Sequence, residues 1–365
     1  MSFETGTTPL MICPLSRELP DDFMAGFIRN RAGRLDDVRD EPAVGWVSGR
    51  HLLETELNEN TCICGGHLYL NLRKAERKIP AQLLNAICRR EELALMQASD
   101  KLFLSRKERA QIKADAIEKN LMKMPPVISA VPFLIDRVNN VLYFGGSSAA
   151  AFDSFVSEYL RALPECEPVP ISVNELMIKL FKQTENDLPN LKFTSEKDAD
   201  DEPMPGRDFL TWLWYYSETT GQVATDDGTF DLLIEGPLTL ADAAEANGAE
   251  ETVIRKGNSP QRSAEAKSAL ATGKKLRKAR FSLTRDPDIW SGTFDADTFS
   301  FSSLKLPEGE AMDAFERFRE RLEFLQTFKG AMEAYFRTFA ETFLKGDAAK
   351  AQAKLREWVA GRDAI

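Results

Sequence analysis

The feature that most constrains this fold is an apolar stripe near the C-terminal end of the sequence. Aromatic and aliphatic residues recur there at spacings of three and four, which places them on one face of an α-helix. The stripe consists of Phe315, Phe318, Leu322, Leu325, Phe328, Met332, Tyr335, Phe339 and Phe343. A helix of about seven turns with such a face must bury it. We therefore expect a large core or a dimer seam along this helix.

Composition is typical of a folded globular protein. The chain has 365 residues, of which 43% are hydrophobic and 23 are Phe. No apolar run approaches the roughly 20 residues that span a bilayer, and the N-terminal MSFETGTTPLMICPL has no basic or apolar signal-peptide region. Five scattered cysteines favour free thiols in a reducing compartment. We therefore predict a cytoplasmic protein without membrane attachment.

The predicted strands and helices indicate an α+β fold. Strands are predicted at 7–14, 44–49 and 67–79, and a hairpin is predicted over 131–146. Within 67–79, leucines alternate with other residues, which is typical of a strand with one buried face. Predicted helices lie between these strands without a βαβ repeat, which favours mixed antiparallel sheets.

Three segments are predicted along the chain. Residues 1–172 form an N-terminal α+β domain, and residues 173–306 form a middle α+β domain that contains the basic segment. An acidic, Pro- and Gly-containing loop is predicted at 195–206. Residues 307–365 form a C-terminal helical region that includes the apolar stripe.

Patterns that could support catalysis have simpler structural explanations. CICGGH places Cys62, Cys64 and His67 together, but a zinc site usually needs four ligands, and strand alternation alone explains Cys-Ile-Cys. GGSSAAA (145–151) lacks the Lys of a phosphate-binding loop. Carboxylate pairs occur at Asp226-Asp227, Asp286/Asp288 and Asp295/Asp297, all at predicted turns. We therefore predict no catalytic residues, no metal site and no cofactor.

An aromatic helix is predicted over 207–221. Its Trp212, Trp214, Tyr215 and Tyr216 could stack on bases. On a helix, however, Phe209, Trp212, Leu213 and Tyr216 share one face. Core or interface packing is therefore the favoured interpretation.

Positive charge is concentrated in one stretch of an acidic chain. The formal net charge is −10, yet residues 255–280 carry nine cations and one acid, so the remainder is about −18. The cations are Arg255, Lys256, Arg262, Lys267, Lys274, Lys275, Arg277, Lys278 and Arg280. Such segregation indicates a surface that meets a polyanion. Pairing of these cations with acids would contradict that interpretation.

The end of this basic segment is predicted to be a strand with two different faces. One face carries Arg277, Ala279, Phe281 and Leu283, and the other carries Lys278, Arg280, Ser282 and Thr284. Arg and hydroxyl side chains are common phosphate contacts, which position a protein on DNA without selecting a sequence. The second face is therefore predicted to bind the DNA backbone.

Several segments, in this order, resemble the recombination-associated protein RdgC family. They are VGWV, RKAERKIPAQLLNAI, LSRKERAQIKADAIEKNLM, FLIDRVNNVLYFGGSSAAAFDSFVSEYLRAL and ETVIRKGNSPQRSAEAKSALATGKKLRKARFSL. Together they cover about residues 8–171 and 250–345. RDFLTWLWYYSE resembles a motif of longer, divergent members.

The resemblance implies a homodimer closed into a ring, with duplex DNA passing through a positively lined hole. It also implies sequence-independent binding, association with the nucleoid, and restraint of the RecA recombinase through occupation of DNA. Lys274, in the Gly-Lys turn, is the DNA contact that the resemblance favours most, and Arg255 and Lys256 lie near a second family contact region. Two alternatives stay open: a nuclease or nuclease accessory protein, and a protein-interaction module built on the Phe-rich helix.

Overall fold

The computed structural model describes residues 3–194, 203–242, 251–255 and 260–361. The strands are β1 (Thr7–Pro14), β2 (Ala43–Ser48), β3 (Ile63–Cys64), β4 (His67–Arg77), β5 (Pro126–Asp136), β6 (Val141–Phe144), β7 (Gln222–Thr225), β8 (Gly228–Ala241), β9 (Glu251–Ile254), β10 (Lys275–Arg285), β11 (Asp288–Asp295) and β12 (Ser300–Lys305). The helices are α1 (Phe23–Arg29), α2 (Glu59–Cys62), α3 (Ala81–Ser99), α4 (Arg106–Asn120), α5 (Ala149–Ala162), α6 (Val173–Phe181), α7 (Pro205–Thr219), α8 (Ala264–Ala271), α9 (Ala314–Leu344) and α10 (Ala348–Ala360). Within these described ranges, no helix combines the length and apolarity that a bilayer crossing requires.

All strands join one antiparallel sheet, which confirms the predicted α+β class. The strand order is β2-β4-β5-β6-β1-β12-β11-β10-β8-β7, with β3 on β4 and β9 on β8. Strand β1 joins the two halves, because Leu10 lies opposite Phe301 of β12 while Met11 lies opposite Phe144 of β6. The sheet therefore runs through two of the three predicted segments, whose boundaries stay a prediction.

The apolar stripe on α9 packs against this sheet. Phe318 stacks on Tyr69 of β4 at 5.1 Å between ring centroids, and Phe328 lies 4.9 Å from Phe301 of β12. The helix therefore contacts both halves of the sheet. Of the nine stripe residues only Phe315 is exposed, so the stripe is occupied by the chain's own core.

Strand β4 differs from the prediction because both of its faces are buried. On one face, Leu68 and Leu70 share a cluster with α1 and α5. On the other, Asn71 donates hydrogen bonds to two backbone carbonyls where β2 ends, and Arg73 donates to the carbonyls of Leu52 and Gly33. Backbone carbonyls accept hydrogen bonds from these polar side chains, which allows them to be buried. The alternation of apolar and polar residues alone predicts that this face of β4 is exposed.

Residues 81–120 form a helical arm of α3 and α4, which pack chiefly on each other. Helix α3 contributes no buried residue, and α4 contributes Ile112 and Ala116. The predicted capping box is confirmed, since the Ser105 side chain accepts from the Glu108 N–H and Glu108 accepts from the Ser105 N–H. The turn between the two helices is therefore fixed by local bonds, but the arm shares little of the main core.

We predict that Phe328→Ala lowers the free energy of unfolding by about 3–5 kcal/mol, because it leaves a cavity between α9 and the sheet. Phe328 is fully buried and lies between Phe281 and Phe301. Urea denaturation followed by Trp fluorescence measures the change. Phe315→Ala is the control: this side chain is 46% exposed, and we expect a loss below about 1 kcal/mol. Equal losses for both variants would contradict the packing described here.

Candidate nucleic-acid interface

Strand β10 carries the second half of the basic segment and lies between β8 and β11. Its Ala279, Phe281 and Leu283 are buried in the core under α9, while Arg280 and Ser282 point to the other side. Arg280 is exposed and Ser282 is partly exposed, so that outer side of β10 is open to solvent at these positions. The predicted alternation is therefore confirmed from position 278 onward.

A β-bulge changes the position of Arg277. The register with β8 shifts between Leu276, which pairs with Leu240, and Lys278, which pairs with Thr239. As a result Leu276 takes the interior position, and Arg277 lies partly exposed at the edge of the core. The prediction that Arg277 shares one strand face with Ala279 is therefore wrong.

Three cations of the basic segment on β10, Arg277, Lys278 and Arg280, each lie beside a carboxylate. Arg277 forms ion pairs with Asp297 at 2.9 Å and with Glu251. Lys278 Nζ lies 2.8 Å from Asp295, and Arg280 Nε lies 3.6 Å from Glu235. Asp297 also accepts a bidentate pair of hydrogen bonds from two guanidinium nitrogens of Arg207, at 2.6 and 2.8 Å. The strand is therefore close to neutral, contrary to the expected unpaired row of cations.

Lys275 is an interior residue. Its Nζ lies 2.6 Å from Asp208 Oδ1 and donates to Asn190 Oδ1 at 3.1 Å, and its side chain is 8% exposed. The second oxygen of Asp208 accepts from the Leu191 N–H. Burial raises the pKa of Asp208 to about 6, an effect that Lys275 partly opposes. Lys275 therefore joins α7, β10 and the 190–191 segment, and it does not reach the surface.

The remaining cations of the segment lie outside β10. We call Arg255, Arg262, Lys267 and Lys274 the α8 cation group. Lys274 is half-buried in the turn after α8, where Gly273 has φ +85°, and its Nζ donates to Thr252 Oγ1 at 3.0 Å. Arg255 and Arg262 are exposed and Lys267 is partly exposed, and none of the three forms an ion pair with a described residue. Lys256 lies outside the described residues.

A second cation group lies on the arm and was missed by the sequence analysis. Arg106, Lys107, Arg109 and Lys113, here called the α4 cation group, are exposed and make no ion pair within the described part of the chain. Interspersed acids hid this group in the sequence. Glu108, however, is engaged by Lys101 at 2.5 Å and by the capping box, which lowers its pKa to about 2. The capping-box pattern in the sequence already indicated that Glu108 binds the start of its own helix and does not neutralise the neighbouring cations.

The other predicted features take structural positions. Cys62 and Cys64 are buried on opposite faces of the sheet, in separate clusters. His67 Nε2 lies 3.8 Å from Asp136, whose carboxylate also accepts hydrogen bonds from Val138, Asn139 and Gln326. The aromatic helix α7 is buried core. In the ranges that the structure describes, no three His, Cys, Asp or Glu side chains are grouped to hold a metal ion.

Residues 36–183 match the protein-family model described as "RdgC: Putative exonuclease, RdgC". This match confirms the resemblance to the RdgC family. No curated protein matches the chain. The RdgC match spans β2 to α6 and so includes the whole helical arm, whereas the α8 cation group lies beyond it.

The buried pair gives a pH-dependent prediction for Lys275→Met. Removing one partner of a buried ion pair leaves the other charge uncompensated, so we expect a loss of about 3–5 kcal/mol at about pH 8. The pKa of Asp208 is raised in the folded state. The folded state therefore holds this proton more tightly than the unfolded state does. The resulting gain in stability is full below the pKa of Asp208 in the unfolded chain and is lost as the pH rises through about 6. The deficit of the variant should accordingly shrink at about pH 5.

Urea denaturation at the two pH values measures this effect. Lys267→Met is the matched control, because Lys267 is partly exposed and makes no ion pair with the described residues; we expect a change within about 0.5 kcal/mol. A Lys275→Met deficit that stays constant or grows at acidic pH would contradict the role of Asp208 as the uncompensated partner.

Proposed function

We propose that this protein is an RdgC-type, non-enzymatic DNA-binding protein that acts as a ring-shaped homodimer around duplex DNA. The RdgC match over residues 36–183 is the observation that carries the proposal. On this proposal the ring binds DNA without regard to sequence, associates with the nucleoid, and restrains RecA-dependent recombination and replication by occupying DNA.

Charge segregation supports binding to a polyanion through part of the predicted set, the α8 cation group, together with the α4 cation group, which was not predicted. Seven of the eight cations in the α8 and α4 cation groups form no ion pair with a described residue, and the eighth, Lys274, donates to Thr252. The chain as a whole is at −10. Screening over about 8–10 Å isolates such groups from distant acids. Phosphates can therefore gain affinity locally by releasing counterions, even though the net charge is repulsive.

The helical arm supports the dimer. A groove of about 510 Å³ runs between α3 and α4, with Ile87, Leu95, Ile112 and Ala116 in its lining. Charged residues of both signs, including Arg90 and Asp115, also line it. An arm that buries so little of its own surface gains stability when a second arm covers the groove, as in a four-helix bundle. We therefore propose that two arms pair along this groove.

A DNA exonuclease is the second candidate function. It is favoured by the family description, which names an exonuclease. Divalent-metal-dependent loss of full-length DNA in the presence of the purified protein would support this candidate over pure binding.

We predict that Arg262→Gln, Lys267→Gln and Lys274→Gln together weaken duplex DNA binding and flatten its salt dependence. Each lost phosphate contact should reduce the slope of log K against log salt by about 0.9. Fluorescence anisotropy with unrelated duplex sequences, measured over a range of salt, gives both quantities. Similar affinity for those sequences is expected.

Lys278→Gln with Arg280→Gln is the matched control, because both cations already face carboxylates. We expect a smaller change in slope than for the α8 variant. An equal or larger change would place the DNA on β10 instead. Adding Mg²⁺ or Mn²⁺ to parallel samples and examining the DNA for shortening tests the exonuclease candidate in the same experiment.

We predict that Leu95→Asp converts the homodimer to a monomer, because it puts a charge into the groove of the arm. Leu93→Asp is the matched control: Leu93 is on the same helix and is also exposed, but it does not line the groove. Native mass spectrometry gives the mass of each variant. A dimeric Leu95→Asp protein, or dissociation by Leu93→Asp alone, would contradict pairing through this groove.

A further inference from the structure

The turn between α3 and α4 presents two adjacent apolar side chains to solvent. Leu102 is 92% exposed and Phe103 is 78% exposed, while the next residue, Leu104, is buried. Elsewhere in the described chain, the apolar side chains with comparable exposure, Val138 and Met312, stand singly. We call this pair the Leu102–Phe103 tip.

The turn that carries the tip is fixed by local bonds on both sides. Asp100 ends α3 in the left-handed conformation, with φ +51°, and the N–H of Lys101 donates to the Met96 carbonyl at 3.0 Å. On the other side, Lys101 pairs with Glu108, which also closes the capping box with Ser105. The two apolar side chains are therefore held outward, and little ordering entropy remains to be lost on binding.

Cations lie directly beside the tip. The α4 cation group begins two residues after Leu104, and its Arg106, Arg109 and Lys113 follow the spacing of one helix face. A second tip is a poor partner for this surface, because tip-to-tip contact would bring two sets of like charges together. A partner with apolar surface between rows of negative charge is complementary to it.

We propose that the Leu102–Phe103 tip is a wedge that inserts between stacked base pairs of duplex DNA, with the α4 cation group on the flanking phosphates. Duplex DNA offers that combination, because apolar base faces lie between two phosphate backbones. Leu and Phe are among the side chains that proteins insert at base steps, where they partly unstack and kink the duplex. The inference rests on the proposed DNA-binding function and adds a contact on the arm.

The wedge implies a preference for DNA that unstacks easily. A duplex with one mismatched base pair requires less energy to open than a fully paired duplex of the same sequence. We expect the protein to bind the mismatched duplex more tightly, and we expect the double variant Leu102→Ser/Phe103→Ser to lose that preference. Its affinity for the mismatched duplex should fall by about tenfold, the scale of one lost stacking contact.

The test compares the wild-type chain, the double variant and Val138→Ser on matched and mismatched duplexes by fluorescence anisotropy. A 2-aminopurine base beside the mismatch reports unstacking directly. Val138→Ser removes an equally exposed apolar side chain from another turn and should bind as the wild type does. Native mass spectrometry of each variant is measured in parallel.

Three outcomes would overturn the wedge. The first is an unchanged mismatch preference in the double variant. The second is loss of the dimer in that variant, which would make the tip a self-association surface. The third is tip-dependent cosedimentation with phosphatidylserine vesicles together with unchanged DNA binding. Failure of the wild-type chain to bind any duplex would instead reject the proposed function itself.

Discussion

The pairing of cations with carboxylates along β10 is the interaction on which the charge distribution of this protein depends. Asp208 holds Lys275 in the interior, and carboxylates on neighbouring elements lie beside Arg277, Lys278 and Arg280. Each exposed pair contributes only about 0–1 kcal/mol to stability. Its larger effect is to cancel a positive charge within a distance shorter than the screening length of about 8 Å. A polyanion at β10 would therefore meet a nearly neutral strand, whereas the α8 and α4 cation groups lie on elements outside the sheet.

Those outer elements are positioned by the core in different ways. Helix α8 packs Ala266, Ala269 and Leu270 into the main core, so the cations on it and in the turn after it have a rigid base. The arm has no such base, because α3 buries nothing and α4 buries two residues. Its stiffness comes from helix–helix packing and the bonds at its turn. The same lack of burial that makes the arm available for the proposed dimer contact also leaves its tip exposed.

Local patterns in the sequence were sufficient for most elements but not for the charge partners. The α9 stripe, the Ser105 capping box and the alternation of Ala279, Phe281 and Leu283 are short-range signals, and the structure confirms them. Partners such as Asp208 and Glu251 are distant in sequence and are set by strand order. The partner of Lys278 could have been predicted from the sequence. A hairpin that places Arg285 opposite Asp288 sets the β10–β11 register, and that register places Lys278 opposite Asp295.

The separation of the α8 and α4 cation groups affects how tightly the proposed DNA contacts could bind in combination. Each group has only four cations, and one lies within the RdgC match while the other lies beyond it. Two modest contacts on one folded body act at a high effective concentration relative to each other, so their combined affinity exceeds either alone. The proposed dimer would double both groups. In that arrangement a neutral β10 would not prevent DNA binding, because affinity depends on the number of simultaneous phosphate contacts and does not require one continuous row of cations.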